Sequence, residues 1–258
     1  MSTRIKGALW ALVVLLFAVG IAPAQERTQA EPPPGEIADV WVLWPKAGHN
    51  KQFEDAVKQY VAWRKQAGDP FSWNAYQPHV GDDLDFYVFR SGGHHWADLD
   101  GLHQWNERSG NSDQYEKLIA PHVARVEHYY NETDYDHSKW EERADYRYFR
   151  VVNLQVRQGA YGEMMEALGK LHKALVDGKW PRSYSINWTH GGDGGMSVVY
   201  PYVDFAGMAE PEKPFMTFLS EQLGSEGAAK ATMKQLQSSF EESRSTIYVH
   251  RPDLSSPE

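Results

Sequence analysis

Apolar residues fall along this chain in two rhythms that take turns. Val40-Trp-Val-Leu-Trp44 is a run of β-branched and aromatic residues and predicts a strand. From Phe53 the spacing changes. Phe53, Val57, Tyr60 and Arg64 stand at helical intervals, predicting an amphipathic helix that stops at Gly68 with Pro70 beyond it. Its opening carries Glu54 and Asp55 and its last turn Arg64 and Lys65, as the helix dipole favours. Phe71–Tyr76 and Leu84–Phe89, on either side of Gly81-Asp-Asp83, predict a hairpin. Trp96–Gly101 and a polar loop come next. A helix then opens near Ser112 and runs through Tyr115, Leu118, Ile119, Val123 and Val126, and a short strand near Thr133–Asp136 closes the series.

The pattern then begins again. Phe149–Val156 reads as a strand, Gly159 as a turn, and Met164, Leu168, Leu171 and Leu175 as one helical stripe that stops at Gly178 before Pro181. Ser183–Trp188 and Met196–Tyr200 flank the turn Gly191–Gly195, a helix spans about Ala228 to Ser243, and Thr246–His250 is a final strand. Gly48, Ala56, Pro70 and Ser72 recur at a constant offset as Gly159, Ala167, Pro181 and Ser183, so the expectation is a tandem duplication over residues 38–138 and 146–252. Each half has the β-α-β-β-α-β order of a ferredoxin-like unit. Val40–Trp44, Phe86–Phe89 and Val198–Tyr202 are nearly continuous in apolar residues, which predicts sheets covered on both faces.

Composition adds a location and removes several function classes. Arg4 and Lys6, the apolar run Ala8–Ile21 and Ala22-Pro-Ala24 make residues 1–24 a cleavable export signal, too short in its apolar part for a membrane span. Residues 25–37, with Pro32-Pro-Pro34, read as a polar linker. The mature chain is therefore expected to be periplasmic or extracellular and not to span a membrane. With no cysteine there is neither a disulfide nor a thiolate site, and a net charge of −9 argues against nucleic acid as a partner.

The element order resembles that of the dimeric α+β barrel superfamily, in which two ferredoxin-like units pack sheet to sheet. The fold class expected is α+β, with one chain supplying both units. The resemblance implies a barrel interior used as a small-molecule pocket, and relatives that include cofactor-free antibiotic-biosynthesis-type monooxygenases, haem-degrading monooxygenases and small isomerases. Trp44, Trp73, Tyr76, Trp96, Tyr184 and Trp188 lie on or beside the strands and are the candidate ligand contacts, with Asn153, Asn187 and His103 as polar partners. The haem-degrading relatives use an Asn on the first strand with a Trp and a His near the second helix. Here Trp96 and His103 fall in one half and Asn153 in the other, so no cofactor is expected. No histidine spacing suits a metal, and adjacent His94 and His95 would point to opposite faces. The function expected is a non-catalytic module binding a small apolar or aromatic molecule. The alternative is a cofactor-independent monooxygenase or isomerase acting on an aromatic or quinone-like substrate, with His103, His190 or Tyr76 titrating in the pocket.

Overall fold

In Tyr184-Ser-Ile-Asn-Trp-Thr-His190 every second residue is apolar, and this alternation decides how the sheet closes. The computed structural model describes residues 35–256 apart from 142, 144 and 193. The expected export signal (1–24) and most of the expected linker (25–37) lie outside the described residues. The elements are β1 (Ile37–Pro45), α1 (Asn50–Gln66), β2 (Asn74–Val80), β3 (Tyr87–His94), α2 (Trp96–Ser109), α3 (Asn111–Leu118) and β4 (Val123–Lys139), then β5 (Tyr148–Val156), α4 (Tyr161–Asp177), β6 (Tyr184–His190), β7 (Met196–Tyr202), α5 (Phe215–Gln222), α6 (Glu226–Ser238) and β8 (Phe240–His250). The strands form a closed antiparallel barrel in the order β1-β3-β2-β8-β5-β7-β6-β4, with β4 returning to β1. The pairing β4-β1-β3-β2 of the first half recurs as β8-β5-β7-β6 in the second, and β2–β8 and β4–β6 join the halves.

The apolar side of this sheet faces outward. Leu43, Ala75 and Tyr87 pack against Phe53, Ala56 and Val57 of α1, while Tyr184, Ile186 and Met196 pack against Met164, Leu168 and Leu175 of α4 and Phe218 of α5. Phe53 and Met164 are both 0% exposed, and each anchors its helix to the sheet. Burying a side chain of this size stabilises the fold by about 1.5–3 kcal/mol. A closed sheet needs this outer layer because helices cover only its outside, whereas the inside meets the opposite wall. Both faces are covered as expected, the outer one by helices and the inner one by the opposite wall, and the inner faces leave between them a hollow of about 1460 Å³.

Several boundaries also move. Phe71 and Trp73 precede β2 and belong to an outer cluster with Leu102 and Trp105. Trp96–Ser109 is a full helix, not a short turn and loop. Val123 and Val126 lie on β4, which runs far beyond the short strand expected at Thr133–Asp136. The last helix ends at Ser238, and Phe240 already starts β8. Glu54 and Asp55 fall after the first turn of α1, which begins at Asn50. At the end of α4 the left-handed residue is Lys179 (φ 57°), not Gly178. Gly178 is there for space: a Cβ on it would stand 2.5 Å from the Phe218 ring of α5.

Candidate functional site

The site is the inside of the barrel, built from the residues that alternate with the outer core. On β5 these are Phe149, Val151, Asn153 and Gln155; on β6 they are Ser185, Asn187 and Thr189. Register ties them into rows. In the first half one row runs Tyr76–Val88–Val42–Glu127 across β2, β3, β1 and β4, and the row beside it runs Arg90–Val40–Tyr129. The matching row of the second half is Asn187–Ser197–Asn153–Arg244 across β6, β7, β5 and β8, beside Val199–Val151–Thr246. One wall therefore carries rings and hydrocarbon with Arg90 and Glu127, and the other carries amides and hydroxyls with Val151, Val199 and Arg244.

The amide wall is internally bonded at Asn187 and Thr189, though not at Asn153 or Ser197. Thr133 donates from Oγ1 to Asn187 Oδ1 (3.0 Å), Asn187 Nδ2 donates to Ser185 (3.1 Å), and Thr189 donates to Asn131 (3.2 Å). On the ring wall, among the described residues, the Arg90 guanidinium makes no hydrogen bond and no ion pair, and the hydroxyls of Tyr76 and Tyr129 make none either. The Arg90 guanidinium lies against the backbone of Gly92, where a Cβ would come within 2.4 Å of Nη1. The other charges of the cavity wall are matched: Arg125 pairs with Glu127 on β4, and Arg244 pairs with Glu242 at 3.4 Å on β8. Burial, with Glu127 adding to it, pushes the Tyr129 phenol up to about 12, and the charge of Arg90 pulls the other way. Burial raises Tyr76 as well, again against Arg90. Both phenols are thus neutral donors at physiological pH.

Of the residues singled out from sequence, Tyr76, Asn153 and Asn187 line this cavity. Tyr76 meets the Phe149 ring edge-on with centroids 5.2 Å apart. Trp44 stands at the end of β1 under Arg125, at 4.4 Å, with its indole N–H donated to Asp83. Trp73 is buried outside the barrel, under Arg64, and bonds to Asp69. Tyr184 is outside as well, in the core beneath α4, with its hydroxyl 2.9 Å from His172 Nδ1. Trp96 is 45% exposed on α2, edge-on to Tyr130 and His190, and His103 faces Glu107 on the helix surface. Trp188 borders a separate outer groove of about 710 Å³ together with Tyr161, Glu132 and His190, the last two 2.7 Å apart. Trp96 and His103 do not converge on Asn153, so the residues do not fit the haem-degrading arrangement. His94 and His95 part as expected: His94 stacks on Phe71 at 3.6 Å, and His95 caps α2. Among the described residues no three histidine or carboxylate side chains gather to hold a metal ion.

Sequence reasoning missed Arg90, and with it the contrast between the walls. The available signal was a lone charge at the same strand parity as Val88, in an otherwise apolar stretch.

No family model matches the sequence, and no curated protein does. Solved structures do match the fold. A candidate monooxygenase from Fusobacterium nucleatum subsp. nucleatum superposes with a TM-score of 0.53 at 9% identity, covering 86% of this chain and 94% of that one. A candidate monooxygenase from Lactobacillus acidophilus NCFM gives 0.51 at 8%, covering 85% and 94%. A chlorite dismutase variant from Candidatus Nitrospira defluvii gives 0.51 at 8%, covering 85% and 93%. Likeness at such low identity shows the fold, and the chain has the dimeric α+β barrel fold that its element order resembles.

Proposed function

We propose that this protein is an exported small-molecule-binding barrel whose ligand sits between the two inner walls. The observation that carries the reading is the cavity of about 1460 Å³ on whose wall an arginine and two phenols stand without partners. Polar groups with no internal partner, in a hollow lined in part by rings, are what a binding pocket offers a ligand. The export signal of residues 1–24 supports the location, and N-terminal sequencing of the secreted chain should begin at or near Gln25. We also read the chain as two ferredoxin-like units fused in tandem. The repeated strand order and the matching registers of β1 with β3 and β5 with β7 support that reading.

The test is a thermal-shift screen against small aromatic, quinone-like and anionic compounds, run beside Val151→Trp and Val40→Trp, which set indoles into opposite parts of the cavity wall. A ligand at a hundred times its dissociation constant should stabilise the fold by about 2.7 kcal/mol. No shift with any compound, or shifts that are unchanged in both variants, would defeat the reading.

A second reading, a cofactor-independent monooxygenase, has one observation in its favour. Arg90 and two neutral phenols are suited to hold negative charge developing on a substrate oxygen, the condition for a carbanion or enolate to persist long enough to meet dioxygen. Two of the matching structures are candidate monooxygenases, which agrees with that reading. Oxygen uptake with a bound ligand would establish it. Binding without uptake leaves the first.

A further inference from the structure

A cation set into a barrel wall is costly unless something balances it, because it gives up hydration without gaining a partner. Arg90 is half-buried, and no carboxylate of the described residues reaches it. Glu127 and Glu242, the acidic residues of the cavity wall, are engaged by Arg125 and Arg244. The wall around Arg90 is aromatic: Tyr129 on its own row, Tyr76 on the neighbouring row against Phe149, and Tyr248 paired with Phe149 across β5 and β8. A guanidinium offers a planar fork that fits a carboxylate with two parallel bonds. The hydroxyls of Tyr76 and Tyr129 add two further donors and bring no negative charge of their own. Opposite them the amide wall carries Asn153, Asn187 and Ser197, which can meet polar substituents on the far side of a ring.

Resting on the reading of the barrel as a ligand pocket, we propose that the ligand is a small aromatic carboxylate. Arg90 and the hydroxyls of Tyr76 and Tyr129 hold its carboxylate, and Phe149 and Tyr248 flank its ring. The charge of the cavity wall is then balanced by the ligand and not by the protein. Gly92 sets the geometry by letting the guanidinium lie flat on the strand.

Isothermal titration with 2-naphthoate and with its neutral isostere 2-naphthamide tests this. The native protein should bind the carboxylate at least tenfold more tightly than the amide, a difference of about 1.4 kcal/mol. Arg90→Gln should abolish that preference by weakening the carboxylate at least tenfold more than the amide, with the thermal midpoint of the unliganded protein unchanged. Arg90→Lys, which keeps the charge but not the fork, should retain part of it, and Gly92→Ala, which displaces the guanidinium, should weaken carboxylate binding alone. Equal affinity for acid and amide, or a preference that survives Arg90→Gln, would overturn the inference and leave the pocket standing. If neither probe binds, the inference falls, and the pocket reading is decided by the thermal-shift screen alone.

Discussion

The two halves of the barrel agree on the outside and part company on the inside. Phe53 under the first half and Met164 under the second are equally buried, and each sits on the helix that follows the first strand of its half. Within, positions of the same register carry different chemistry. Tyr76 answers to Asn187, Val42 to Asn153, Val88 to Ser197 and Arg90 to Val199. The outer wall is held by packing, which tolerates little besides hydrocarbon of about the right volume. The inner wall faces a hollow and is released from that demand. Where packing constrains the side chains the halves stay alike, and where it does not they differ.

The strongest test of the agreement is truncation of the outer anchors. Phe53→Ala should cost about 3–5 kcal/mol and Met164→Ala about 2–5 kcal/mol, measured by denaturant unfolding. A small loss at only one of them would mean that the halves are not equivalent outside either. Next in size is the amide wall. Asn187→Ala strands Thr133 in a site where Asn187 itself is 4% exposed, and should cost about 1–3 kcal/mol. Its counterpart Tyr76→Phe removes a hydroxyl that has no partner, and should change stability by less than about 0.5 kcal/mol. Similar losses at both positions would erase the contrast between the walls.

Arg90→Met should leave the thermal midpoint of the unliganded protein unchanged or slightly higher, since it deletes a cation without an ion pair. A clear loss would show that Arg90 braces the fold. The smallest effect is that of pH. Burial holds the rings of His94, His172 and His250 below the ordinary histidine value of 6.5, so they are neutral when folded and take up protons more readily once unfolded. Their contribution to stability is therefore complete above pH 6.5 and declines as pH falls below it. Melting curves from pH 7.5 to 5 should show this decline, and His94→Phe, which keeps the stack on Phe71, should flatten it.

Much of the fold was legible because strands and helices impose their periods wherever one face is buried. Tyr184, Ile186 and Trp188 alternate with Ser185, Asn187 and Thr189, and the register of β6 follows from that alone. The same alternation already placed Tyr184 and Trp188 outside the barrel. The weight given to aromatic residues as ligand contacts overrode it. β4 was harder to read, because its inner residues, Glu127, Tyr129, Asn131 and Thr133, are not apolar and so broke the expected pattern. α2 was hidden by Gly101 and its many polar residues, since it buries little besides Leu102 and Trp105. Arg90 had no motif to announce it. Its importance comes from what is missing around it, and that depends on how eight strands converge.

β2 joins β8, and β4 joins β6, within a single polypeptide. In an assembly of two identical chains every substitution is made twice, and its copies face each other across the axis. An arginine introduced there would meet its own image, and two like charges enclosed in one small hollow repel each other. A continuous chain is free of that rule. It can place Arg90 on one wall and Val199 at the matching place on the other, giving the cavity a head and a tail, so that a ligand with two unlike ends has one way to enter rather than two.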